Sequence, residues 1–157
     1  MTSVSLLGTP TILQQNMRRF LVEGDSMAPA LRPGNVVYCR RPGLPLGRGD
    51  YVVFGHPRRA DMKLIKRVIG LPGETIVIDT GVVLVDGREG PDRWSVGLTS
   101  PDGEWPVSTE EVFVLSDNRS ATMDDSRNFG PVPTANLRRV WWVVRSRGDS
   151  GSPPPLP

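Results

Sequence analysis

Prolines and glycines cut this chain into short β-rich runs, and that spacing constrains the fold more than any other feature. The 157 residues include 16 prolines and 17 glycines. Short runs rich in β-branched residues between Pro and Gly turns are typical of all-β sandwiches and barrels. We therefore predict a mainly β domain of folded antiparallel sheets or a barrel, with few short helical turns. The predicted strands are 17–22 (a strand or a short helix), 35–40, 51–54, 64–69, 75–78, 82–85, 111–115 and 140–144.

Turn residues and low-complexity stretches set the boundaries between these runs. Asp86-Gly87 follows the run 82–85 and predicts a tight hairpin, because both residue types tolerate positive φ. The stretch 90–107 contains three prolines and predicts an irregular excursion. Rich in Pro, Ser and Gly, the end of the chain is typical of a disordered tail. The predicted organisation is an N-terminal extension at 1–16, a β domain at 17–145 and a disordered tail at 146–157.

Composition argues against several classes of site. The formal charge is only +2, and the arginine pairs have no interleaved aromatics, so we predict no nucleic-acid partner. Cys39 is the only cysteine, which rules out an intramolecular disulfide, and its strand-like surroundings predict a small buried residue. With one histidine and one cysteine, a transition-metal site is improbable, and we predict no cofactor.

Apolar runs in the chain are too short to cross a membrane. None approaches the ~20 residues that a span requires, and residues 1–15 lack the charged start and long apolar block of a signal peptide. We expect a soluble or peripherally membrane-associated protein. Two readings stay open for Trp141 and Trp142: weak contact with a bilayer interface, or one core and one surface aromatic on a strand. The oligomeric state is not indicated.

Two short stretches forty positions apart carry the residues that predict chemistry. GDSMAP at 24–29 places Ser26 in a turn bracketed by Gly and Pro, and KRVIGLPG at 66–73 places Lys66 at the head of an apolar strand. A serine hydroxyl needs a base close by to become a nucleophile. The only histidine, His56, lies in a loop-like segment. A lysine whose pKa is lowered by apolar surroundings can replace it, so we predict a serine–lysine hydrolase.

A second lysine, Lys63, lies three positions before Lys66. Side chains alternate along a strand, so residues separated by an odd number point to opposite faces. Lys66 is surrounded by Leu64, Ile65 and Val68, which suits a desolvated amine. Lys63 is therefore predicted to lie on the surface, and Lys66 to be the base.

Four motifs, taken in order, resemble the conserved boxes of the bacterial signal peptidase I family. They are GDSMAPALRPG at 24–34, GDYVV at 49–53, KRVIGLPGE at 66–74 and SDNRSATMDDSRNFGPVP at 116–133, within a similarity that runs from about 22 to 143. The resemblance implies a β catalytic domain and a serine endopeptidase. Its substrate would be an extended, signal-peptide-like segment of a peptide or preprotein, cut after small residues.

The resemblance also implies roles for single residues. Ser26 would be the nucleophile and a backbone oxyanion donor, and Lys66 the general base. Some family members add a hydroxyl two residues before the nucleophile, where this chain has Gly24. By resemblance, Asp117 and Arg127 would form a structural ion pair behind the dyad.

The last motif departs from the family pattern. One extra residue separates DNR from DSR, so both Ser120 and Thr122 are candidates for the hydroxyl that orients the lysine amine, with Thr122 favoured. Ser116 stands where the family usually has glycine. These departures motivate one alternative of another class, an inactive β scaffold that only binds peptides.

Two other peptidase types share a serine–lysine dyad. Signal peptidase I is usually tethered by transmembrane helices before its serine, whereas Ser26 comes early in this chain. This favours, as an alternative, a soluble maturation peptidase that trims an N-terminal extension from one cytoplasmic partner. A self-cleaving repressor would need a DNA-binding head, for which 25 residues leave no room.

Overall fold

The computed structural model describes residues 3–6, 17–43 and 45–147, which form two antiparallel sheets. The predicted mainly β class is confirmed. Within these ranges the helical structure is one turn of α-helix, α1 (Ser126–Phe129), and one 3₁₀ turn (Thr134–Asn136). The strands are β1 (Val4–Leu6), β2 (Met17–Val22), β3 (Val36–Arg40), β4 (Tyr51–His56), β5 (Arg59–Gly70), β6 (Thr75–Asp79), β7 (Val82–Val85), β8 (Arg88–Glu89), β9 (Gly103–Pro106), β10 (Glu111–Leu115), β11 (Val132–Pro133) and β12 (Arg138–Val144).

The larger sheet curls into a barrel. Its strand order is β1-β2-β3-β12-β4-β5-β10-β11, and a bridge between Ser3 and Leu64 brings β1 against β5. The first six strands in that order thus form a ring. Apolar side chains from all six pack together inside it, which is the core expected of a small closed barrel. The core residues are Val4, Phe20, Val22, Met27, Leu31, Val37, Cys39, Tyr51, Val53, Ile65 and Val140.

A smaller sheet, with order β8-β7-β6-β9, packs on the far end of β5. The predicted hairpin is present, with Asp86 and Gly87 at φ 49° and 76° between β7 and β8. The prediction that 90–107 is irregular was wrong at its end, because 103–106 forms β9. That strand is stabilised by pairing with β6, where Ile76 lies opposite Trp105, a long-range contact that an alternation pattern does not reveal.

Strand β5 is the longest, and it begins five residues before the predicted start at Leu64. Its first half is mostly exposed and pairs with β4 as a two-stranded ribbon, so the pairing is not visible in an apolar pattern. Its second half is buried between β4 and β10. The interpretation of His56 as a loop residue was wrong, since this side chain is buried at the end of β4.

Several further predictions concern the ends and the cysteine. The expected extension at 1–16 contains β1, which pairs with β2, and most of the predicted disordered tail lies outside the described residues. Cys39 is fully buried in β3, as predicted, and burial raises the pKa of its thiol to about 12. In the part of the chain described, none of the helical segments has the length and apolarity needed to span a bilayer.

Candidate active site

Ser26 and Lys66 meet in the interior of the molecule. Lys66 Nζ lies 2.8 Å from Ser26 Oγ. Lys66 is 0% exposed and Ser26 is 1% exposed. Forty residues of sequence separate them, so the contact is made by the fold and not by local structure. A primary amine at hydrogen-bond distance from a hydroxyl is the geometry that a general base and a nucleophile require.

The turn after β2 presents Ser26. Gly24 has a φ of 78°, a left-handed conformation that glycine adopts without strain and that turns the chain sharply before the serine. The Ala28 N–H donates to the Asp25 carbonyl at 3.0 Å, which closes the turn around Ser26. From the last motif, the Asn118 N–H donates to the Ser26 carbonyl at 2.8 Å. Ser26 is thus held by its own turn and by a second, distant segment.

The buried half of β5 presents Lys66. Its backbone pairs with Val52 of β4, and the strand continues beside β10. Lys63, three residues earlier, is exposed, so the predicted surface position of this second lysine is confirmed. A central strand with neighbours on both sides keeps Lys66 in place with little freedom to shift.

Burial lowers the pKa of the Lys66 amine from its ordinary value of 10.5 to about 8. A charged amine loses its hydration in an apolar interior, so the neutral form gains in relative stability. The carboxylates of Asp125, Asp124 and Asp117 act in the opposite direction and limit the fall, while the charge of Arg127 adds to it. Near neutral pH, a usable fraction of the lysine is therefore a free base.

An ion pair behind the lysine connects β5 to the last motif. Arg67 Nε and Nη2 donate to the two oxygens of Asp117 at 2.7 and 2.5 Å. The guanidinium also donates to the Tyr51 hydroxyl and lies over two aromatic rings, 4.2 Å from the centroid of Tyr51 and 4.7 Å from that of Trp94. A planar guanidinium suits both bidentate and stacking contacts. Arg67 thereby connects β5, one residue after Lys66, to the motif that holds the Ser26 carbonyl.

A second ion pair lies within the last motif. Arg127 Nε and Nη2 donate to the Asp125 carboxylate at 2.9 and 2.8 Å, and Asp125 also accepts from the Ser116 N–H at 3.0 Å. Burial acts to raise the pKa of Asp125, but these bonds and the Arg127 charge hold it below its usual range. The expected pair between Asp117 and Arg127 was wrong, because each residue is paired with a different partner.

The two hydroxyls expected to orient the lysine occupy different positions. Ser120 is exposed, and its Oγ lies over the backbone of Gly97. Thr122 Oγ1 accepts from the Asp124 N–H at 3.0 Å. Among the hydrogen bonds of the described residues, neither hydroxyl is joined to Lys66 Nζ. The orienting role therefore stays a prediction for both residues.

Sequence reasoning missed three buried polar residues around the dyad. Ser126 Oγ accepts from the Val114 N–H at 2.9 Å. His56 Nδ1 accepts from the Arg58 N–H at 3.0 Å, and its Nε2 lies 3.5 Å from Asp124 Oδ1. The third residue, Arg67, had a visible signal in the sequence, because a second charge beside Lys66 in an apolar strand requires a buried acidic partner. The other two had none, because the contacts of Ser126 with β10 and of His56 with Asp124 are made only in the folded chain.

Trp141 and Trp142 are both on the surface, 43% and 51% exposed. The reading with one core and one surface aromatic was wrong, because β12 has a bulge between Val140 and Trp142. A bulge inserts an extra residue and interrupts the alternation of side chains. With Met17, Tyr38 and Val144 they form a shallow apolar surface. Contact of this surface with a bilayer stays a prediction.

The chain is similar in sequence and in structure to known proteins. The family model described as "Signal peptidase, peptidase S26" matches residues 4–141. The "Signal peptidase I" of Leptolyngbya laminosa is 33% identical, covering 98% of this chain and 85% of that protein. The "Probable signal peptidase I-1" of Synechocystis sp. is 31% identical, covering 86% and 76%. The crystal structure of a signal peptidase I from Enterococcus faecalis superimposes with a TM-score of 0.55 at 28% identity, covering 63% of this chain and 98% of that chain.

Proposed function

This chain belongs to the signal peptidase family, peptidase S26, and we propose that it is a serine endopeptidase whose catalytic dyad is Ser26 and Lys66. The observation that carries the proposal is the 2.8 Å contact between the lysine amine and the serine hydroxyl in a buried setting. The lowered pKa of Lys66 supports it, because a charged amine cannot accept a proton.

In the first step, Lys66 Nζ takes the proton of the Ser26 hydroxyl as Oγ attacks the carbonyl carbon of the scissile peptide bond. The tetrahedral oxyanion would be stabilised by the Ser26 backbone N–H, a donor fixed before the reaction. Collapse of the intermediate breaks the C–N bond. The protonated lysine gives its proton to the leaving amine, and the acyl group remains as an ester on Ser26.

In the second step, neutral Lys66 takes a proton from a water molecule that attacks the ester. The ester bond to Ser26 breaks, the serine regains a proton from the lysine, and the carboxylic acid product leaves and gives its proton to solvent. The two ion pairs take no part in these transfers. We propose that the pairs of Arg67 with Asp117 and of Arg127 with Asp125 hold the base and the nucleophile at reactive distance.

The proposed substrate is an extended peptide with small residues one and three positions before the cut, as in A-x-A cleavage sites. The names of the relatives support a signal-peptide-like substrate. Incubation with such a peptide, followed by mass spectrometry, should show one cut after the small residue. An inactive scaffold would bind the peptide and leave it whole.

The pH dependence of kcat/KM should report the ionisation of Lys66. Only the neutral amine is a base, and its pKa is about 8, so activity should rise through pH 8 and level off above it. Below that pH, the rate should fall about tenfold per pH unit, because the neutral fraction does so. A rise centred near 10.5, the pKa of an ordinary lysine, would contradict base catalysis by a desolvated amine.

A further inference from the structure

The N-terminal strand β1 lies between the two strands that position the dyad. It pairs antiparallel with β2, and Ser3 forms a bridge with Leu64 of β5. Strand β2 ends four residues before Ser26, and Leu64 precedes Lys66 by two residues on the same strand. This chain therefore inserts its own segment along both strand edges that lead to the catalytic groups.

Ser3 is at the end of this segment that is nearest to the dyad. The Glu23 N–H donates to the Ser3 carbonyl at 2.9 Å, three residues before Ser26. On the other side, two residues of strand separate Leu64 from Lys66, a rise of about 7 Å. An extended peptide that approaches the dyad along either edge meets β1 first.

Backbone pairing, one carboxylate and one valine hold β1 in place. Ser3 Oγ and Ser5 Oγ donate to the two oxygens of Glu23 at 3.0 and 3.2 Å. Between the two serines, Val4 is buried in the barrel core. These contacts are of the kind by which an extended peptide adds to a sheet edge: main-chain pairing with a pocket for alternate side chains.

In the part of the chain that the structure describes, the pairing between the N-terminal segment and β5 is the single bridge between Ser3 and Leu64. Strand β1 has three residues, and a cleft of about 780 Å³ opens beside it, lined among others by Val4 and Ser5 of β1 and by Asp61 and Met62 of β5. An open strand edge is a template for pairing with another chain. A second extended peptide that pairs with β5 in this cleft would compete with β1 for the same strand edge.

We propose that β1 is an internal competitor of the peptide substrate. It occupies the position between β2 and β5 and has to leave before an extended peptide reaches Ser26 and Lys66. Its effect on catalysis rests on the peptidase function proposed above, whereas its occupancy of the groove rests on the sheet geometry alone. A binding-competent state that is only fractionally populated weakens the apparent affinity by that fraction.

The test compares the full chain with a form that lacks residues 1–6 and with Glu23→Gln, which weakens the bonds to Ser3 and Ser5. Ser5→Pro is a third form of unchanged length, because proline disfavours pairing of this short strand. Glu104→Gln, an exposed change on β9, is the matched control. KM and kcat are measured with a small-residue peptide, and the melting temperature is recorded for each form.

If β1 competes with the substrate, KM should be lower by about threefold or more in the deletion form. The fall should be smaller in Glu23→Gln and Ser5→Pro, and KM should not change in Glu104→Gln. A peptide with the sequence of residues 1–8, added to the deletion form, should restore the higher KM as a competitive inhibitor. If KM of the deletion form is unchanged or higher while the full chain cleaves in a Ser26-dependent way, the proposal that β1 competes with the substrate is wrong and the peptidase function stands.

A binding arm separates the two proposals. In the Ser26→Ala background, a fluorescent form of the 1–8 peptide should bind the deletion form and be excluded from the full chain, whether or not the protein is a peptidase. Equal binding to both forms would contradict the proposal that β1 occupies the groove. If the deletion form does not fold, the same comparison is made with Ser5→Pro, where tighter binding supports the competitor and unchanged binding contradicts it.

Discussion

Replacing either member of the dyad is expected to lower kcat/KM by roughly 10⁴-fold or more, the scale seen when a nucleophile or its base is removed from a hydrolase. The variants are Ser26→Ala and Lys66→Met, assayed with a small-residue peptide under single-turnover conditions. Because the two groups act as a unit, the double variant should be no slower than either single one.

Lys63→Met is the matched control, since Lys63 and Lys66 are the only lysines and lie on the same strand. Lys63 is exposed, so this variant should stay within about threefold of the unmodified protein. Substantial turnover in Lys66→Met together with an inactive Lys63→Met would overturn the assignment of the base.

Loss of activity in Lys66→Met should not reflect loss of the fold. The folded state lowers the pKa of Lys66 from 10.5 to about 8, so it disfavours the proton that the unfolded chain binds. This penalty on folding is fully present below pH 8 and disappears as the pH rises to 10.5. A difference of this size corresponds to roughly 3 kcal/mol. Lys66→Met is therefore expected to be at least as stable as the unmodified protein at pH 7.

The second large effect is expected at Arg67. Arg67→Met removes the bidentate partner of Asp117 and leaves a carboxylate buried without its cation. Breaking a buried pair on one side typically costs about 3–5 kcal/mol. The free energy of unfolding, measured by urea denaturation, should fall by this amount, and residual activity should fall with it because the last motif also holds the Ser26 carbonyl.

The control for this prediction is a double variant, Arg67→Met with Asp117→Leu. Removing both charges leaves no unpaired ion, so much of the lost stability should return, while the connection between β5 and the last motif does not. Arg88→Met, on the exposed strand β8, should change the free energy of unfolding by less than about 0.5 kcal/mol. An equal loss in the single and the double variant would show that burial of the unpaired charge is not the cause.

Local signals in the sequence were enough for the fold class and for the buried position of Lys66. Turn residues at Asp86-Gly87 and the apolar setting of Lys66 act over a few positions, and both predictions agree with the structure. The partners of Asp117 and Arg127 depend instead on how the last motif folds against β5. Two acids and two arginines allow more than one pairing, and spacing alone does not select among them.

Strand pairing between distant parts of the sequence explains the other differences between the predicted and the observed elements. Strand β9 was missed because its extended conformation is stabilised by pairing with β6. The early start of β5 was missed because its polar first half pairs with β4 alone and carries no apolar pattern. The position of both tryptophans on one surface depends on a bulge in β12. Strand β1 was assigned to an extension because three residues carry too little pattern to predict a strand.

The most direct test of the dyad is to trap the acyl group on Ser26. A peptide ester that ends in a small residue is mixed with the protein, and acid-quenched samples are analysed by intact mass and peptide mapping. A stoichiometric, transient adduct is expected on the peptide that contains Ser26. Its rate of formation should rise with the neutral fraction of Lys66 through about pH 8. An adduct on another residue, or peptide cleavage that proceeds at full rate in Ser26→Ala, would contradict the proposed dyad.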